Sequence, residues 1–370
     1  MSLKKKKKIL LAYGTRPELI KLVPLIYLLR KSNACELLIV NTGQHKEMVD
    51  ELEKLFSIKP DINFNVMTPN QSPNTVLSEI VGKTTALFST FKPETVIVQG
   101  DTTTVLSIGI AAFYAKINVA HVEAGLRSFD IDNPYPEEFN RRVISLFAKY
   151  NFVPTKQTAL NLRKEKVKTS TIHITGNTVV DTLRLVLKKL QKKNKGQTDI
   201  PTKRKILITA HRRENHEKGI HNICEAVLKI LDANNNIEFI WPVHPNPNVQ
   251  RVVYEKLGKI TNVTLCPPLS YAGLVKEMRQ SYLIWTDSGG IQEEAPTLKK
   301  PVLILRTVTE RPEVVDSGFG KLVGTEVEKI VSATNKLLKD RAEYKRMTSG
   351  KNPFGDGKAA DRIAKILLRD

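Results

Sequence analysis

Short apolar runs alternate with helix-length stretches along the chain, and in both halves some of these runs end in polar, glycine-bearing segments. In the first half the runs are Lys8–Tyr13, Glu36–Asn41, Thr95–Val98, Val119–Val122 and Tyr150–Val153. In the second half they are Lys205–Thr209, Glu238–Pro242, Val263–Cys266, Leu283–Thr286 and Pro301–Leu305. Unbroken apolar strands separated by helical segments are strands buried on both faces, which is the signature of parallel sheets covered by helices. The pattern therefore predicts an α/β protein built from two doubly wound, Rossmann-like domains, and 370 residues suffice for two. The N-terminal domain takes residues 1–182. A basic linker at 183–204 follows, where a lysine-rich helix tail runs into Lys195-Gly196-Gln197-Thr198-Asp199-Ile200-Pro201. The C-terminal domain takes 205–352, and residues 353–370 form one further amphipathic helix.

The net charge of +20 would fit a nucleic-acid-binding protein, but its distribution does not. Lys4 to Lys8 and the segment Arg184 to Lys205 together supply thirteen of the twenty charges. Neither run interleaves aromatics or forms a recognition helix, so both read as solvated surface, and no nucleic-acid partner is expected. No stretch approaches the roughly 18 apolar residues of a membrane span. The apolar run after the lysines, Ile9 to Tyr13, is too short for a secretory signal. Three unclustered cysteines, Cys35, Cys224 and Cys266, define neither disulfides nor a metal knuckle. The expectation is a cytoplasmic protein with no membrane partner.

In open parallel sheets ligands bind outside the carboxyl ends of the strands, so the segments after the strands carry the chemistry. No Gly-x-Gly-x-x-Gly occurs, and Gly82-Lys83-Thr84 lacks the first glycine of a phosphate loop, so no bound dinucleotide or other cofactor is expected. Asp287-Ser288-Gly289-Gly290 ends a strand and starts a helix, giving backbone N–H donors and the Ser288 hydroxyl for an anion. Glu294 follows about a turn later, placed to accept from a ribose hydroxyl. A plain capped turn would have the same sequence. Gly14-Thr15-Arg16-Pro17-Glu18 opens the first helix, and Arg16 with Lys21 can clamp a phosphate there or stand as solvated cations. Asp101, Glu123, Glu137 and Glu138 are acids near strand ends or in the loop Leu126 to Pro136, with His211 as a basic partner from the second half. Acids gathered in a partly desolvated cleft between the domains can exchange protons with a substrate. Glu138 reads as the bystander of the four. The histidine spacing fits no zinc motif, so no metal is assigned.

These segments match a known family. The chain resembles the non-hydrolysing UDP-N-acetylglucosamine 2-epimerases in nine motifs, taken in order. They are Gly14-Thr15-Arg16-Pro17-Glu18, Thr42-Gly43-Gln44-His45, Gln99-Gly100-Asp101-Thr102, His121 to Arg127, Pro136-Glu137-Glu138 with Asn140-Arg141, Thr175-Gly176-Asn177-Thr178, His211 to Asn215, Asp287 to Pro296, and Glu310-Arg311-Pro312-Glu313. The resemblance implies a GT-B glycosyltransferase-like fold with the active site in the interdomain cleft, a C-terminal helix that crosses back to the first domain, and a homodimer. It implies reversible inversion at C2 of UDP-N-acetylglucosamine, giving UDP-N-acetylmannosamine, by elimination of UDP to 2-acetamidoglucal and re-addition.

Carried over by residue, the resemblance makes Asp101, Glu123 and Glu137 the catalytic acids and sets His211 beside the diphosphate. Arg16, Ser288, Gly289 and Gly290 would hold the phosphates, Glu294 the ribose, Lys21 and Arg311 the sugar-diphosphate end. The uracil pocket lies around Leu269 to Leu274. Of the positions linked to an activating second UDP-sugar, Gln44, Gln71, Arg212 and His244 are present, while Glu47 and Asn70 stand where relatives often carry Gln and Arg.

Rival readings are a hydrolysing epimerase that releases N-acetylmannosamine and UDP, a 2-epimerase of a modified UDP-sugar such as a diacetamido-uronic acid, and a glycosyltransferase of the same fold. The grouped acids disfavour the last, which gives them no shared task. Against the nucleic-acid reading, the mobility of duplex DNA in a native gel at physiological salt is expected to be unchanged by micromolar protein; a discrete shifted band would reinstate it.

Overall fold

The structure, a computed structural model, describes residues 5–68, 71–193, 203–210, 212 and 218–369. The chain divides into two compact units, Met1–Thr182 with Phe354–Asp370, and Leu183–Pro353.

In the first unit the strands are β1 (Lys7–Tyr13), β2 (Cys35–Asn41), β3 (Ile62–Asn63), β4 (Thr95–Gln99), β5 (Asn118–Val122), β6 (Tyr150–Val153) and β7 (Ile172–Ile174). All pair in parallel, in the order β3-β2-β1-β4-β5-β6-β7. The helices are α1 (Arg16–Lys31), α2 (Lys46–Phe56), α3 (Pro73–Phe91), α4 (Thr103–Tyr114), α5 (Glu137–Phe147), α6 (Lys156–Lys164) and α7 (Thr178–Lys193). The last five residues of β1 are buried, which is why its apolar run does not alternate. The strand order reverses between β1 and β4, so right-handed crossovers send the helices on either side of that point to opposite faces.

The second unit repeats the scheme with β8 (Arg204–Thr209), β9 (Ile237–Pro242), β10 (Val263–Cys266), β11 (Leu283–Thr286), β12 (Val302–Ile304) and β13 (Gly320–Leu322), ordered β10-β9-β8-β11-β12-β13. Its helices are α8 (Lys218–Ala233), α9 (Pro247–Leu257), α10 (Tyr271–Gln280), α11 (Gly289–Glu294), α12 (Pro312–Asp316), α13 (Val327–Lys339) and α14 (Arg341–Ser349). Its core is built on Trp241 and Trp285, both fully buried, with the Phe239 ring edge-on to Trp285 at 5.3 Å. Both units are thus α/β and Rossmann-like. No helix of the described residues is long and apolar enough to cross a membrane.

Three strands escape the sequence pattern: β3, β7 and β13. Each has two or three residues and lies at a sheet edge, too short to display a period and with only one neighbour to pair with. Helix α7 continues into the linker segment as far as Lys193. Residues 194–202 of that linker lie outside the described residues.

The final helix, α15 (Ala359–Arg369), belongs to the first unit and packs on α1. Asp181 on α7 fixes its start, accepting the Ala359 N–H at 3.3 Å and the Ala360 N–H at 3.0 Å. These are two of the N–H groups a helix start leaves without partners. Asp181→Ala is expected to cost about 1–2 kcal/mol in urea unfolding and to speed proteolytic trimming of α15; unchanged unfolding would show that Asp181 does not anchor it.

Candidate active site

At the reversal point of the first sheet, β1 and β4 deliver two turns side by side. The β1 turn has no room for a side chain at Gly14. A Cβ there would lie 2.1 Å from the Thr42 hydroxyl and 2.4 Å from that of Thr104. Arg16, half-buried, follows as the first residue of α1. The β4 turn passes through Gly100 at φ +83° to Asp101, and Thr102 caps α4 by accepting from the Val105 N–H.

Asp101 is held from α5. Arg141 Nη2 meets Asp101 Oδ2 at 2.9 Å, and Asn140 Nδ2 donates to the Asp101 carbonyl at 2.9 Å. The Asp101 side chain is 26% exposed, so its carboxylate is anchored at one oxygen and still reachable. Glu123, one residue beyond β5, is more enclosed. Lys21 Nζ pairs with its Oε2, Asn177 Nδ2 donates to the same oxygen at 2.8 Å, and Gln99 Nε2 donates to Oε1 at 3.2 Å. Its backbone stands at φ +66°, a left-handed conformation costing about 1–3 kcal/mol in a non-glycine residue. That strain is the local cost of aiming this carboxylate, and the three contacts hold it in place. Glu137 is half-buried at the first position of α5.

Glu138 is no surface bystander. It is fully buried, accepts the Ser128 N–H at 3.0 Å, and faces Arg141 Nη1 at 3.5 Å. Arg141 therefore stands between two carboxylates, one inside and one reachable. Gln99, His121, Asn140, Arg141 and Asn177 hold the candidate acids or their turns, and reading the sequence for strand-end acids does not single them out. For Arg141 a signal exists, namely its i+3 spacing from Glu138 on one helix face.

In the second unit the reversal lies between β8 and β11. Asp287, fully buried, accepts the Arg212 N–H at its Oδ2 (2.8 Å), tying the segment after β8 to the turn after β11. The Ser288 N–H donates to Thr286 Oγ1 at 2.9 Å, and Ser288 is the N-cap of α11. The two glycines differ. A Cβ on Gly289 would lie 2.5 Å from Arg311 Nη1, so Gly289 lets the guanidinium lie across the helix start. A Cβ on Gly290 would find only Ser288 Oγ, at 3.9 Å, so what calls for a bare backbone there is not packing within the chain. Arg311 is aimed by Glu293, which accepts from its Nε at 2.6 Å, and by Glu310 at 3.1 Å from Nη1. Ser288, Gly289, Gly290 and Arg311 thus lie together at the start of α11, with Glu294 buried in the same short helix.

The family model described as UDP-N-acetylglucosamine 2-epimerase matches residues 28–368. The chain belongs to the UDP-N-acetylglucosamine 2-epimerase family. It is 45% identical to the UDP-N-acetylglucosamine 2-epimerase of Escherichia coli K12, over 97% of this chain and 98% of that protein. Among solved structures, the Neisseria meningitidis UDP-GlcNAc 2-epimerase bound to UDP-GlcNAc superposes with a TM-score of 0.92 at 42% identity, covering 98% of this chain and 100% of that one. The Methanocaldococcus jannaschii UDP-GlcNAc 2-epimerase in complex with UDP-GlcNAc and UDP gives 0.83 at 34% identity, with 98% and 100% covered.

The remaining predicted positions are spread over both units. Leu269 and Leu274 are half-buried around the start of α10, whose cap Ser270 accepts the Gly273 N–H at 3.0 Å. Gln44 accepts from Thr104 Oγ1 at 3.0 Å, which ties it to the first turn of α4. Gln71 accepts the Thr68 N–H at 3.1 Å, and His244 Nδ1 accepts the Asn246 N–H at 3.2 Å. Glu47 is exposed in the first turn of α2. His211 and Asn70 lie outside the described residues.

His121 secures the Asp101 turn from β5, its Nε2 standing 2.7 Å from the Gly100 carbonyl. Full burial, with the nearby Arg127 and Arg141, holds its imidazole down at about 4, against the pull of that hydrogen bond. The unfolded chain, titrating near 6.5, binds this proton more readily than the folded one. The contribution of His121 is therefore whole above pH 6.5 and lost as pH falls toward 4, by about 3 kcal/mol. Urea unfolding at pH 7 and pH 4.5 should show a smaller loss in His121→Gln than in wild type; equal losses would assign the acid sensitivity elsewhere.

Proposed function

We propose that the protein interconverts UDP-N-acetylglucosamine and UDP-N-acetylmannosamine without hydrolysis, by eliminating UDP and adding it back. The proton on C2 is not adjacent to a carbonyl, so a base alone removes it poorly. Loss of that proton coupled to rupture of the C1–O bond forms the C1–C2 double bond of 2-acetamidoglucal and sends the electron pair out with UDP. Return of a proton to the opposite face of C2, with re-formation of the C1–O bond, gives the epimer. The reaction is balanced without any external oxidant or reductant.

The observation that carries this reading is the unequal environment of the two strand-end acids. Asp101 has one oxygen on Arg141 and remains reachable, which suits a residue that takes or returns the C2 proton. Glu123 is engaged at both oxygens by Lys21, Asn177 and Gln99, which suits a fixed negative charge over a ring that becomes electron-poor as C1–O breaks. Glu137 is the second proton-transfer candidate. Ser288, Gly289, Gly290 and Arg311 hold the departing diphosphate, Glu294 the ribose, and the Leu269–Leu274 segment the uracil, with Arg16 and His211 assisting at the diphosphate. Firm retention of UDP is what separates epimerisation from hydrolysis, because an escaped nucleotide leaves the glucal to water.

Proton NMR with UDP-N-acetylglucosamine in D₂O tests this directly. UDP-N-acetylmannosamine bearing deuterium at C2 is the expected product; free N-acetylmannosamine with UDP would place the protein in the hydrolysing class. Asp101→Asn is expected to lower turnover by at least about 1,000-fold while UDP binding, measured by calorimetry, stays within threefold. Turnover like wild type in that variant would remove Asp101 from the chemistry.

A further inference from the structure

The turns after β1 and β4 carry Arg16 and Asp101. A Cβ on Gly100 would meet nothing within 4 Å, and hydrogen bonds reach that turn from two sides. From one side they come from His121, Asn140 and Arg141. From the other comes Glu18, a side chain 1% exposed, third in α1 after its N-cap Thr15. Its Oε2 accepts the Gly14 N–H at 2.6 Å, and its Oε1 accepts the Thr102 hydroxyl at 2.5 Å. The first bond is local, reaching back to the residue before the N-cap Thr15. The second reaches 84 residues along the chain to the residue next to Asp101. Burial pushes the Glu18 carboxyl up to about 7 despite these bonds, so it sits there at a cost an apolar residue would avoid. An apolar residue could accept neither hydrogen bond.

We propose that Glu18 is a positioning residue, whose buried carboxylate straps the Arg16 turn to the Asp101 turn and holds the proton-transferring acid in register. The inference rests on the roles given above to Arg16 and Asp101. The bond to Gly14 alone would make Glu18 a local stabiliser of the β1–α1 turn, independent of Thr102. A strap makes the two side chains one unit, whose loss is felt once.

The test is a double-mutant cycle of Glu18→Gln and Thr102→Val, with Thr102→Ser as the variant that keeps the hydroxyl. Turnover is counted per UDP-binding site, so that misfolded protein does not register. Thr102→Val should lower kcat tenfold or more with KM and UDP affinity within threefold, and Thr102→Ser should recover most of kcat. The double variant should be no slower than the worse single one. Wild-type kcat in Thr102→Val, or effects that multiply in the double variant, would overturn the strap. Wild-type protein inert toward UDP-N-acetylglucosamine would defeat the assigned reaction instead. The same cycle read in urea unfolding would then decide the strap, with additive losses against it and coupled losses for it.

Discussion

Parallel pairing of β1 with both β2 and β4 is the constraint on which the first unit depends. A parallel sheet needs a crossover after every strand, so all carboxyl ends fall on one edge. Where the order reverses, successive crossovers leave to opposite faces and the turns between them part. Gly14 and Gly100 stand in those turns, Arg16 and Asp101 follow them, and Glu123 follows the next strand. The second unit repeats the device between β8 and β11, with Arg212 and Asp287 at its reversal. Chemistry is thereby concentrated where the sheet geometry leaves backbone donors and side chains without neighbours in the core.

Charge is handled differently on the two edges. In the first unit the site acids, buried or partly exposed, each have partners: Glu123 with Lys21, Asp101 and Glu138 with Arg141, Glu18 with two donors. Such pairs add little net stability, because desolvation offsets most of the attraction. Their effect is geometric, since each partner is a second anchor on a carboxylate that must keep its aim. In the second unit the balance is reversed, with Arg311 held by Glu293 and Glu310 so that its guanidinium lies over Gly289 at a helix start. One edge presents acids steadied by cations, the other a cation steadied by acids. That division fits the proposed elimination and re-addition of UDP.

Ten of the thirteen strands among the described residues are legible as apolar runs, and the signal is clearest where, as in β6 and β11, every residue is buried. The other three have too few residues to carry one. Asp101, Glu123, Ser288 and Gly289 are legible as well, because each follows a strand and strand ends are easily located. Arg141 and Glu138 are harder, being helix residues whose polar character resembles any solvated face, and nothing local to Glu138 tells that it is buried. His121 looks like a strand residue on a polar face until its partner, the Gly100 carbonyl, is seen across the β4–β5 pairing.

The division between the two levels follows from range. Composition, periodicity and turn residues act over a few positions, and by themselves they determined the α/β class, the succession of the main strands along the chain and the residues that follow them. The contacts that give those residues distinct tasks join positions far apart: Glu18 to Thr102, Lys21 to Glu123, Asp101 to Arg141, Asp181 to Ala360. Only the tertiary structure decided which acid is saturated and which is reachable, because a side chain's partners depend on which strands become neighbours. Local sequence does not encode that neighbourhood. It arises when the chain closes its sheets.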